Sequence, residues 1–96
     1  MPSFPGLLGF KVFFWSNEGK PLEPIHIHVS KGIPSKNATK FWILSDGTVE
    51  LAGNGSNLSE KELSRIKRAL EDYTDIYIAE WKAYHKELPV FHDKID

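Results

Sequence analysis

Ninety-six residues, 41% hydrophobic and 26% charged, suffice for one globular domain with a modest core and leave no room for a second. Twelve Lys and Arg against thirteen Asp and Glu give a formal charge of -1, which excludes a global attraction to phosphate and confines any nucleic-acid contact to a local patch. The absence of cysteine excludes disulfides, thiolate metal sites and cysteine nucleophiles, in keeping with a reducing compartment.

Residues 1–9 carry Pro2, Pro5, Gly6 and Gly9, which break regular structure, and are expected to form an extended lead-in. Residues 10–15 read as a strand, aromatic and β-branched, with Phe10, Val12 and Phe14 on one face and Phe13 and Trp15 on the other beside Lys11. The apolar run 4–15 is too short to span a bilayer, contains Lys11, and lacks a basic start or a small-residue cleavage site. A cytoplasmic protein with no membrane partner is the expectation.

Ser16-Asn17-Glu18-Gly19 supplies turn residues, and Pro21 and Pro24 keep the connection out of helix. The most informative stretch follows, Glu23-Pro24-Ile25-His26-Ile27-His28-Val29. Its period of two sends Ile25, Ile27 and Val29 to one face of a strand and His26 and His28 to the other, so the imidazoles point away from the aliphatic side. Gly32, Pro34 and the lysines of 31–37 mark a loop, and 39–45 is a third strand with Phe41 and Ile43 opposite Trp42 and Leu44. Asp46-Gly47 signals a hairpin whose favoured turn needs positive φ at both central positions, leading to a fourth strand at 48–51.

Ser59 with Glu62 three residues on forms a capping box, and Leu58 can pack on Leu63 as a hydrophobic staple. From there Leu63, Ile66, Leu70, Tyr73, Tyr77, Trp81, Tyr84 and Leu88 recur at spacings of three or four and end at Pro89. The spacing predicts a helix over 59–88, ~45 Å long if continuous. It is otherwise broken once near Thr74-Asp75, where the helix propensity is mediocre. Residues 89–96, with His92, read as a loose tail. The fold predicted for this single domain is therefore α+β: a three- or four-stranded antiparallel sheet over 10–52 with the long C-terminal helix packed on one face.

If that helix covers Ile25, Ile27 and Val29, the far face carries Phe13, Trp15, His26, His28 and Trp42. So apolar a face calls for cover by a second copy, a partner protein, a ligand, or the chain's own helix and tail. His26 and His28, about 7 Å apart along the strand, can converge on one metal ion. A third ligand would come from Glu18, Glu23, His85 or another subunit, and none of these is fixed by local spacing. Histidines bonded within the fold are the plainer alternative. Gly53-Asn54-Gly55 precedes a helix as phosphate loops do but lacks the Gly-x-x-x-x-Gly-Lys pattern. Lys61, Arg65 and Arg68 share one helical face and could meet phosphate together with Lys31, Lys36 and Lys40 from the loop and third strand, although i,i+4 pairs of Lys67 with Glu71 and Arg68 with Asp72 are what a solvated face normally shows.

Read together, Phe13-Phe14, Ser16-Asn17-Glu18-Gly19, Glu23-Pro24 with His26-Ile27-His28-Val29, Lys40-Phe41-Trp42, Val49-Glu50-Leu51-Ala52 and Glu80-Trp81 with Tyr84 resemble a family of short bacterial proteins called domain of unknown function 4160. The likeness covers nearly the whole chain, and Glu-Pro-x-His-x-His is its most distinctive part. Ile25 stands where family members commonly have a second proline, and the loop at 33–37 is longer than usual. The resemblance implies a small protein that stands alone, sometimes encoded beside another small protein in an arrangement compared with toxin–antitoxin pairs. It brings no catalytic residue and no cofactor.

The functional expectation is a non-enzymatic binding protein whose face of Phe13, Trp15, His26, His28 and Trp42 meets a second copy or a small partner protein. One alternative is a metal-assisted hydrolase or nuclease, with a divalent metal on His26, His28 and a third ligand. The other is nucleic-acid binding through Lys61, Arg65 and Arg68.

Overall fold

The computed structural model describes residues 3–15 and 23–95. Five strands, β1 (Ser3–Leu7), β2 (Phe10–Phe13), β3 (His26–Ser30), β4 (Thr39–Ile43) and β5 (Val49–Gly53), form one antiparallel sheet in chain order. Two helices follow, α1 (Glu60–Glu71) and α2 (Thr74–His85), then a short 3-10 turn at His92–Lys94. The α+β class and antiparallel sheet are as expected, but among the described residues the strands number five rather than three or four. The extra strand is the supposed lead-in. Ser3–Leu7 pairs with β2 despite Pro5, because an edge strand can spare an amide and the register shift between Phe4 and Leu7 absorbs the irregularity.

Leu8 and Gly9 join β1 to β2 with positive φ at both positions, 54° and 84°. The turn at Asp46-Gly47 differs from expectation, since only Gly47 has positive φ. Gly47 N–H donates to the Leu44 carbonyl and Leu44 N–H to that of Thr48, so the loop has three residues, 45–47, and Asp46 keeps a negative φ while its carboxylate accepts from the Thr48 amide and hydroxyl.

The helix start is as read: Glu62 N–H donates to Ser59 Oγ at 3.1 Å and Ser59 N–H to Glu62 Oε1 at 2.9 Å. The long helix is broken, at Asp72-Tyr73, slightly earlier than Thr74-Asp75, and it stops at His85, with Lys86 left-handed. That break rotates the apolar stripe. Ile66, Leu70, Tyr77 and Trp81 are buried, whereas Tyr73, Tyr84 and Leu88 are exposed. The Thr74 hydroxyl donates to the Gly47 carbonyl and ties the start of α2 to the β4–β5 turn.

The main core lies between one sheet face and the helices. Val12, Phe14, Ile25, Ile27, Val29, Phe41 and Ile43 meet Ile66, Leu70, Tyr77 and Trp81 there, each fully buried aliphatic side chain contributing about 1.5–3 kcal/mol. The period-two alternation of β3 therefore holds: its aliphatic residues face the helices, and its histidines face the other way.

Residues 89–95 do not form the loose tail expected of 89–96. Ile25 N–H donates to the Val90 carbonyl at 2.8 Å, Phe91 packs on the core, and Asp93 accepts from the Ser45 amide and hydroxyl at 3.1 and 2.6 Å. These contacts join residues distant in the chain, so local composition carries no sign of them. No helix among the described residues is long and apolar enough to cross a membrane.

Candidate functional site

Register places the far-face residues side by side: Phe13 opposite His28 on β2–β3, and His26 opposite Trp42 and His28 opposite Lys40 on β3–β4. The imidazoles of His26 and His28 meet edge to face with centroids 5.1 Å apart. Phe13 stacks on His28 at 5.6 Å, and Trp42 meets His26 edge-on at 5.9 Å. Trp15 continues the cluster through Phe13, at 5.4 Å.

This face is not open. His26 is 0% exposed, His28 3% and Phe13 0%, while Trp15 and Trp42 are half-buried. Part of the cover is Trp81 of α2, which touches Phe14 at 5.1 Å and His26 at 5.1 Å and so belongs to both the main core and the histidine cluster. His85 packs on the same indole at 4.3 Å and on Phe14 at 6.0 Å. It thus joins the cluster through Trp81, the ring that contacts both it and His26. The tail supplies more cover, His92 stacking on Trp42 at 4.7 Å with the planes 7° apart.

Polar contacts fix the orientation of the rings. His26 Nδ1 lies 2.9 Å from the Pro24 carbonyl, and because a carbonyl only accepts, Nδ1 carries the proton. Nε2 faces Glu23 at 4.0 Å, and the other Glu23 oxygen lies 3.7 Å from Lys40 Nζ. Lys40 in turn sits 4.4 Å from the centroid of the Trp42 ring, in cation–π range. A buried imidazole pair thus ends in a rim of Glu23, Lys40 and Trp42. The indole N–H of Trp81 is buried and has no hydrogen-bond partner among the described residues.

The metal alternative finds Glu23 beside His26 and His85 one indole away, while Glu18 lies outside the described residues. Among the described residues no group of three or more His, Asp or Glu is placed to hold a metal ion. For nucleic acid, Lys61, Arg65 and Arg68 are exposed on α1. Lys31 is paired with Glu62 at 3.1 Å and Lys67 with Glu71 at 4.0 Å. The expected Arg68–Asp72 pair does not form; Asp72 is the C-cap, where the backbone leaves the helix and i,i+4 side chains no longer stand one above the other. Lys40 is committed to Glu23 and Trp42 and does not extend this patch.

Sequence reading missed three parts of the site: Trp81 against His26, His92 on Trp42, and the Asp93–Ser45 bond that anchors the tail. The last has a titratable signature. The Ser45 hydroxyl, and then its amide, hold the Asp93 carboxyl below its ordinary value of 3.8. A depressed carboxyl contributes stability above its unfolded pKa and loses it as pH falls through the lower folded value. The tail should therefore stay docked at neutral pH and loosen in acid below about pH 4, which amide hydrogen exchange at residues 90–94 would report. Asp93→Asn should loosen the tail at all pH values.

The family described as "Domain of unknown function (DUF4160)" matches residues 9–82, most of the 96-residue chain and all of β2 through the Trp81 position. Neither the curated proteins nor the solved structures compared with the chain include a match.

Proposed function

This chain belongs to the DUF4160 family, and we propose that it is a non-enzymatic binding module, one partner of a two-gene pair of the toxin–antitoxin kind, which meets a small protein through the aromatic and histidine face of its sheet. The observation that carries this reading is the manner in which that face holds the chain's own tail. Residues 90–93 are held by a main-chain hydrogen bond to Ile25, by the stacking of His92 on Trp42, and by the Asp93 carboxylate on Ser45. A sheet whose far-face Trp42 stacks on one peptide segment, with the strand ends beside it supplying backbone and hydroxyl contacts, has the chemistry to take another. Trp42 and Lys40, both only half-buried, form the part a partner reaches first. Tryptophan is among the usual anchors of protein interfaces, and Lys40 lies over the Trp42 ring.

The test is a binding titration between the chain and the small protein encoded beside it, with Trp42→Ala as the comparison. The expected result is a complex that survives chelators and weakens at least tenfold in the variant, whose fold is checked by circular dichroism. A complex indifferent to Trp42, or no complex, would remove this reading. A complex or hydrolytic activity lost with EDTA would favour the metal-assisted alternative.

A further inference from the structure

We infer that the seam between the β1 edge and the α1–α2 junction is a second docking groove, suited to a protein segment that presents a large apolar side chain followed by carboxylates. Two clefts meet there. One, of about 310 Å³, lies between Phe4 and Leu7 on the β1 side and Tyr73, Ile76 and Tyr77 on the helical side. The other, of about 400 Å³, lies between Leu8 and the α1 residues Arg65 and Arg68. Leu7 adjoins Leu8, and Tyr73 adjoins Asp72, which lines the second cleft, so the apolar half runs into the basic half.

Leu8 is the informative residue. It occupies the first position of a two-residue hairpin turn with φ 54°, a conformation that costs a branched side chain and favours Asn or Gly. It is also 55% exposed, and Ile76, which lines the apolar cleft, is 52% exposed. Folding alone favours neither a left-handed nor an exposed leucine here, whereas an apolar side chain offered to a bound segment in the basic cleft accounts for one.

The charge of the groove selects the occupant. Arg65 and Arg68 are exposed, lie at i,i+3 spacing on α1, and make no ion pair among the described residues. Their guanidinium forks suit carboxylates. Asp72 lines the same cleft, and the whole chain carries a formal charge of -1. A continuous phosphate backbone would meet that acid, whereas a segment with one or two placed carboxylates can avoid it. Among the described residues β1 pairs only with β2, and Pro5 deprives its edge of an amide. Side chains, rather than a full strand ladder, therefore carry the recognition. The groove is lined by none of the residues of the histidine face, so its test is independent of that reading.

A random dodecapeptide phage library panned against the whole chain supplies the probe, and a selected peptide is measured by fluorescence polarisation. The expected consensus is a large apolar residue followed within four positions by Asp or Glu. Its affinity should fall at least tenfold in Arg65→Glu/Arg68→Glu and in Ile76→Asp, all exposed positions, and stay within twofold in Trp42→Ala. Leu8→Asn separates recognition from folding: it should raise the Tm by a few degrees and yet weaken the peptide at least threefold. A basic consensus or none, or affinity indifferent to Arg65 and Arg68, would overturn the inference. So would a homodimer, or binding of a twelve-nucleotide single-stranded RNA, that the double arginine variant abolishes.

Discussion

Trp81→Ala should destabilise the fold by about 3–5 kcal/mol, the range for removing a buried aromatic side chain. Against a total of about 5–15 kcal/mol for a domain, that is a large share. The reason is position: the indole, 1% exposed, touches Phe14 on the main-core side and His26 on the far side, and His85 packs against it. Its loss opens both layers at once. Trp81→Phe should cost clearly less, because the ring is largely kept and the indole N–H has no partner among the described residues to lose. Urea denaturation of the two variants checks this. A loss below about 1 kcal/mol for Trp81→Ala would mean that the rings do not depend on this contact.

The second large effect is expected from His26→Ala combined with His28→Ala. Both rings are buried, in contact with each other and with Phe13, Trp42 and Trp81, so removing them leaves a cavity on the far face. By analogy with other large-to-small core changes the pair should cost about 2–5 kcal/mol. It should also let Trp42 sink, displace His92, and weaken the partner complex at least tenfold. Equilibrium unfolding and the partner titration measure the two consequences separately. If folding and binding were both unchanged, the histidine face would be neither a structural layer nor a working surface.

Much of the architecture was legible because it is written locally. Ile25, Ile27 and Val29 alternate with His26 and His28, and the strand turns them to opposite faces as period two requires. Ser59 and Glu62 cap α1 reciprocally, as their spacing implies. The break between α1 and α2 was readable as weak propensity but not as a position, because the Thr74 hydroxyl bond to Gly47 fixes it from elsewhere in the chain.

What stayed hidden is long-range. Pro5 and Gly6 argue against a strand unless that strand is an edge, which depends on the whole sheet. The Ser45–Asp93 bond spans 48 positions, and nothing at either end announces the other. For the same reason the sequence left open what covers the far face, and Trp81 and His92 supply part of that cover. Trp42, Lys40 and Glu23 form its half-buried rim, and the cleft that Leu8 lines with Arg65 and Arg68 went unread because it joins a turn to a distant helix.

The chain contains three tryptophans, Trp15, Trp42 and Trp81, so its indole N–H signals give three resolvable reporters. Titration with the partner protein proposed above, followed by 15N NMR, tests the proposed role of the far face most directly. The expected result is a large movement of the Trp42 indole signal and release of the His92 ring, with Trp81 little changed. Movement confined to α1 around Lys61, Arg65 and Arg68, with the Trp42 signal still, would contradict it.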